Sequence, residues 1–316
     1  MKIANTVGFA GSVILTVSLS AWMPVVGPLF SLIIPLPFLF YFCKLDIKEG
    51  LIDCAIALSL VELLGRLTGQ SYLSLFCLEF GIMGFVVALL YRRHLSIGAT
   101  IFWGTASMLI MAAVFLLFMG ITRGQGPFDM ILGYIQENLA KTVEIYKQSG
   151  LEQEKVDQIT QAFDLLSKVI ARIYPSLIIA CTGLIVWINV ILSKPLFRAG
   201  GLSYPDFGDV TRWHTPEFMV WGVIGAGFAL FLQATDIRFI SENLLVVLGV
   251  TYLFHGLSIM SFFFDKYRMP NWARTVMYFL VFIQQIFLIL LALAGLFDQW
   301  VDFRKIHKKI DPEATT

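Results

Sequence analysis

Charge is what this sequence has little of. Asp, Glu, Lys and Arg make up 14% of its 316 residues, where a soluble domain keeps about a quarter. That shortage excludes a water-soluble globular chain, and the mean hydropathy of +0.78 agrees. The net charge of +1 offers no electrostatic footprint for nucleic acid, and no such partner is expected. Cysteine and histidine number four each. Cys43, Cys54, Cys77 and Cys181 lie in or beside apolar runs without C-x-x-C spacing, so they read as buried thiols rather than disulfides or metal ligands. No metal or cofactor is expected. Enzyme signatures are missing too: there is no P-loop, no H-E-x-x-H, no G-x-S-x-G and no dinucleotide fingerprint. The chain is therefore not expected to be an enzyme, and any ATP-driven step would need another subunit.

What is present is hydrophobic sequence, 58% of the chain. A helix needs about 20 apolar residues to cross a hydrocarbon core of roughly 30 Å. By that rule the spans are 6–23, 25–42, 51–64, 72–91, 97–119, 170–192, 217–234, 243–264 and 273–297. The first is expected to be retained as a span rather than cleaved as a signal. The second holds Pro28, Pro35 and Pro37, and interior prolines kink helices. Broken backbone at membrane depth survives only where protein or a water-filled cavity covers it. Pro35 and Pro37 thus mark either the edge of a cavity or a plain kink.

One long polar stretch, 120–169, interrupts the spans. Phe128, Ile131, Leu132, Ile135, Leu139 and Val143 recur at helical spacing, as do Val156, Ile159, Phe163, Leu166 and Val169. "KQSGLEQEK" between them predicts a turn, giving an amphipathic helical hairpin. The positive-inside rule places Lys44, Arg92, Arg93, Lys194, Arg198, Arg212, Lys266, Arg268 and Arg274 in the cytoplasm. The hairpin is then extracytoplasmic. Nine spans would leave the basic "RKIHKK" at 304–309 outside, against the rule. The fold class is thus an all-α polytopic bundle of eight or nine transmembrane helices with an external hairpin.

Ionisable groups inside such spans face the bundle interior and are functional candidates. His255 sits mid-span in "VTYLFHGLSIMSFFF", where it is either interhelical hydrogen-bonding glue or a ligand contact. Glu62 and Arg66 share a helical face four residues apart, as a snorkelling pair or the rim of an outward pocket. Glu79, in "FCLEFGIMGF", has no basic residue within a turn. It needs a partner on another helix or a proton, because a central acid costs about 2.5–3.5 kcal/mol on insertion scales. Two small-residue stripes, Gly8–Ser12–Thr16–Ser20 and Gly222/Ala226 with Gly225/Ala229, permit close helix approach, within the bundle or to a partner. In "GLFDQWVDFR", Asp298, Asp302 and Arg304 read as an ion-paired helix end.

Four segments carry a family resemblance: "INVILSKPLFRAGG", "RWHTPEFMVWG", "ENLLVVLGVTYLFHGLSIMSFF" and "AGLFDQWVDFR". In order and spacing the chain resembles the YybS-like family of uncharacterised bacterial membrane proteins over most of its length. That family is distantly similar to the substrate-binding S components of energy-coupling-factor transporters. The similarity implies an S-component-like six-span half at 1–193, containing the 120–169 hairpin. A connector, three more spans and a basic tail would follow at 194–316. It also implies a small-molecule cavity involving Glu62, Glu79, His255, Pro35 and Pro37. The 8–20 stripe would dock a transmembrane coupling subunit with its ATPases, although it lacks the alanines usual there. One position departs from the family pattern: glutamine is expected where His255 stands, which argues against an obligatory acid–base or metal role. The function expected is small-molecule binding or transport in the bacterial inner membrane. The alternative is a non-transporting scaffold or assembly factor working through helix contacts.

Overall fold

Helix occupies almost all of the chain, and no strand occurs among the described residues, which in this computed structural model are 3–23, 26–70, 72–148 and 153–304. The helices are α1 (Ile3–Trp22), α2 (Gly27–Ser31), α3 (Pro35–Lys44), α4 (Ile47–Thr68), α5 (Leu73–Arg92) and α6 (Ile97–Arg123). After them come α7 (Pro127–Gln148), α8 (Gln153–Ala199), α9 (Met219–Ala229), α10 (Thr235–Lys266), α11 (Asn271–Ile283) and α12 (Gln285–Val301). Ends follow local chemistry. The Ser96 hydroxyl accepts from the Ala99 amide to start α6. Gly69 and Gly124, both at positive φ, close α4 and α6.

Large apolar side chains crowd the surface while several polar ones are buried in the core. Ile121 and Phe231 are more than 80% exposed, whereas Asp53, Thr100, Asn189, Ser193 and His255 are buried. Only a hydrocarbon solvent makes that distribution favourable, so the protein is an all-helical multi-pass membrane bundle. Six helical segments are long and apolar enough to cross, and a seventh is counted if α11 and α12 form one bent span. Three of the nine expected spans account for the difference. The 51–64 span lies in α4, whose 22 residues include Lys48, Glu49, Asp53, Glu62 and Arg66. The 217–234 span holds only the 11-residue α9. The 273–297 span breaks at Gln284, where α11 and α12 meet at 102°.

The expected hairpin is partly seen. α7 is one arm, and the other is no separate helix but the start of the 47-residue α8. The Tyr146 and Phe163 rings lie 6.3 Å apart across the two arms. Residues 149–152, inside the expected turn, fall outside the described residues.

Two compact units divide the chain, one of residues 1–137 with 181–207 and the other of 138–180 with 208–316. In the first, α1 buries Phe9, Val13 and Val17, and Phe9 stacks on Tyr41 with Phe38 and Phe42 edge-on. Gly81 and Gly84 bring α5 onto α3: a Cβ on Gly84 would meet Phe38, the Leu39 amide and the Pro35 carbonyl. The chain after α8 is held back by Tyr204, whose hydroxyl donates to the Val190 carbonyl at 3.0 Å and whose ring meets those of Tyr91, Phe197 and Phe207.

In the second unit α10 is the central post. Near its start Glu242 pairs with Arg172, while the Asn243 side chain accepts from the Ser176 amide and donates to the Arg172 carbonyl. Gly222 of α9 packs against Leu248. Further along, Gly256 faces Gly295 of α12. A Cβ on Gly256 would run into the Leu291 carbonyl, and one on Gly295 into that of Tyr252. The two backbones touch here, and only glycine fits.

Candidate functional site

The deepest polar constellation forms in the second unit around His255. Its ring is 1% exposed and lies one residue before the Gly256–Gly295 contact, so α12 arrives with Asp298 opposite the imidazole. The His255 Nε2 lies 3.0 Å from Asp298 Oδ2, and Arg304 Nη2 is 2.9 Å from the same oxygen. The Thr215 amide points at Nδ1 at 3.5 Å. An amide can only donate, so Nδ1 accepts and Nε2–H is left to donate to Asp298. Although Arg304 Nη2 is also 2.9 Å from Nε2, a protonated nitrogen cannot accept its proton. Asp298 Oδ2 therefore receives both bonds, while Oδ1 accepts from the Phe303 amide at 2.8 Å.

Arg304 reaches onward. Its Nη1 donates to the carbonyls of Thr211 at 2.8 Å and Trp213 at 3.0 Å, and to the Ser258 hydroxyl at 3.1 Å. Ser258 lies 2.9 Å from the Val210 and Trp213 carbonyls, and the Trp213 ring stands edge-on to His255. The stretch 208–218 has no α-helix, only a 3-10 turn at Val210–Arg212, and Arg304 with Ser258 caps its Val210, Thr211 and Trp213 carbonyls. Thr215 Oγ1 and Arg304 Nε have no hydrogen-bond partner among the described residues. Chemically, a neutralised Asp–Arg pair with an orienting histidine fastens a loop, α10 and the end of α12 together. A buried pair like this contributes little net stability when intact, but losing one member costs about 3–5 kcal/mol.

The other expected cavity residues belong to the first unit. Glu62 accepts from Arg66 Nε at 2.7 Å on the exposed side of α4, where the Arg66 side chain is 73% exposed. Glu79 is half-buried on α5 and has no hydrogen-bond partner among the described residues. Both belong to the first unit, His255 to the second. Pro35 and Pro37 are buried in the first turn of α3, where missing amides leave no helical bond unmade. The break before them is closed by protein: Asn189 Nδ2 donates to the Leu32 carbonyl at 2.7 Å. The open pocket of about 580 Å³ in the first unit lies between Asn5, Lys44, Asp46, Glu49 and Arg92, and Arg92 caps the Phe42 and Leu45 carbonyls.

On the α1 stripe, Gly8 is covered by the Tyr41 hydroxyl, and the Ser20 carbonyl meets Gly27. The Ser12 and Thr16 hydroxyls bond to carbonyls of their own helix. On α9, Gly222 and Ala226 turn inward, Ala229 is half-buried, and space is open beside Gly225.

Sequence reasoning missed Asp53. It is fully buried on α4 and accepts from the Thr6 hydroxyl at 2.8 Å. Gly50, Asp53 and Ala57 follow the three-to-four spacing of one buried face, and that spacing was the available signal. Sequence reasoning paired Asp298 with Arg304, as the structure does, but left His255 apart from them and did not single out Thr215, because only the tertiary fold brings these within bonding distance.

Fold and site together define a polytopic helical membrane protein in which a buried Asp–Arg–His cluster ties a non-helical loop to the core of one unit. The chain belongs to the family described as "Predicted membrane protein (DUF2232)", whose profile matches residues 12–299. It is 20% identical over 289 residues to "Uncharacterized protein YybS" of Bacillus subtilis (strain 168), covering 90% of this chain and 92% of that one. No solved structure matches. Three of the four segments carrying the resemblance converge in the second unit: 212–218, 254–256 and 295–304 supply the cluster.

Proposed function

We propose that the protein is a non-enzymatic scaffold or assembly factor of the bacterial inner membrane, acting through helix contacts with other membrane proteins. The observation carrying this reading is the use of the cluster. Among the described residues, the hydrogen bonds of His255, Asp298 and Arg304 go to one another or to nearby backbone and side chains, and Glu62 is spent on Arg66. Polar groups that each find a local partner serve to hold backbone in place. Half-buried Glu79, without a hydrogen-bond partner among the described residues, then suits a donor from a neighbouring protein.

One observation favours a second reading, a small-molecule-binding transport component similar to an S component and docked on a coupling subunit with ATPases. The non-helical 208–218 stretch and the break at Gln284 flank the same unit's core, and interrupted helices mark substrate sites in many transporters. Purification of the full-length protein in mild detergent, with mass spectrometry of co-purifying proteins and small molecules, separates the two. The scaffold reading expects other membrane proteins, their recovery reduced by Glu79→Leu, and no enriched metabolite. A co-purifying coupling ATPase together with a bound small molecule would replace it with the transport reading.

A further inference from the structure

The contacts along α10 trace where the chain's last part goes. α11 starts at the C-terminal end of α10, where Arg274 Nη1 bonds Asp265 at 2.5 Å and Nε donates to the Met269 carbonyl at 2.8 Å. Tyr278 then meets Ser261 at 2.7 Å and packs edge-on against Phe264. Past the 102° bend, Leu291 and Gly295 of α12 lie against Gly256 and Tyr252. Gln299 reaches the Tyr252 hydroxyl. Asp298, one residue earlier, is at His255. Past the end of α12 at Val301 the direction reverses, and Arg304 is at Ser258.

Helical rise converts this into depth. Tyr252 is fourteen residues before Lys266, about 21 Å along the axis at 1.5 Å per residue, and Ser258 is about 12 Å from the same end. The pair climbs less than a hydrocarbon thickness of roughly 30 Å and turns back. Neither helix is long enough alone: α11 has 13 residues and α12 has 17, about 20 and 26 Å.

We propose that α11 and α12 form a re-entrant pair that enters and leaves the bilayer on one side, and that this side is the cytoplasm. Lys266, Arg268 and Arg274 stand at the entry, and Arg212 lies in the loop that Arg304 grips. The positive-inside rule assigns both to the cytoplasm. Removing the last crossing leaves an even number, whether eight of the nine expected spans or the six long apolar segments are counted, so both chain ends share a side. The basic run at 304–309, anomalous with nine crossings, then obeys the same rule. This inference is independent of whether the protein is a scaffold or a carrier.

The test is labelling by a membrane-impermeant maleimide of the full-length protein with its four native cysteines replaced by alanine. One cysteine is introduced at a time, Lys266→Cys at the entry and Thr315→Cys near the chain end. Right-side-out and inverted membrane vesicles are compared. Both positions are expected to label in inverted vesicles and to be silent in right-side-out ones. Labelling of the two positions in opposite vesicle types would overturn the re-entrant path, and labelling of both in right-side-out vesicles would overturn the cytoplasmic assignment. Dual green-fluorescent and phosphatase reporters fused after Thr316 give a second readout should a cysteine variant fail to accumulate. Fluorescence supports the proposal, and phosphatase activity contradicts it.

Discussion

At the scale of single residues, His255 resolves into one task. Its Nε2–H donates to a carboxylate already paired with Arg304, and its Nδ1 accepts a loop amide. A glutamine amide can also donate to Asp298 and accept from Thr215. His255→Gln is therefore expected to cost under about 1 kcal/mol, while His255→Leu, which removes a donor from a buried carboxylate, should cost about 1–3 kcal/mol. The melting midpoints of the purified variants in one detergent check the order. Equal losses for Gln and Leu would show that ring shape, not hydrogen bonding, matters there. The sequence made His255 legible as a buried polar group, because a lone imidazole in an apolar run must find partners. Its partners were not legible. Asp298 and Arg304 lie 43 and 49 residues away, and a local reading pairs them only with their own helix end.

At the scale of elements, the close crossing of α10 and α12 sets the register of the cluster. Gly256 and Gly295 place one backbone against the other, which puts Asp298 beside His255. Gly256→Ala would force a Cβ against the Leu291 carbonyl, and backbone cannot yield as a side-chain tip can. The variant is expected to lose most of its folded yield, read by size-exclusion chromatography of the solubilised protein. Gly225→Ala, where nothing lies within reach of a Cβ, should leave it unchanged. Long apolar helices such as α5 and α6 were legible because composition alone sets them. The fates of 217–234 and 273–297 were not. The loop before the short α9 is capped by Arg304 and Ser258, and hydropathy registers neither those partners nor the break at Gln284. The α2–α3 break was legible from Pro35 and Pro37, but its cover, the Asn189 amide, comes from a helix more than 150 residues later.

At the scale of the whole molecule, the apolar surface fixes the solvent as lipid, and a multi-pass bundle was readable from charge scarcity alone. Groups costly to bury need partners, and each unit supplies its own: Glu62 is paired to its neighbour four residues on, and His255 is tied to Asp298. The central claim is that the cluster acts as one coupled fastener. A double-mutant cycle tests it most directly, with Asp298→Ala, Arg304→Ala and the combination measured as unfolding free energies in a single detergent. The account predicts about 3–5 kcal/mol for each single change, because each strands a buried charge, and a double change costing far less than the sum. Single changes that cost nothing, or costs that simply add, would contradict it.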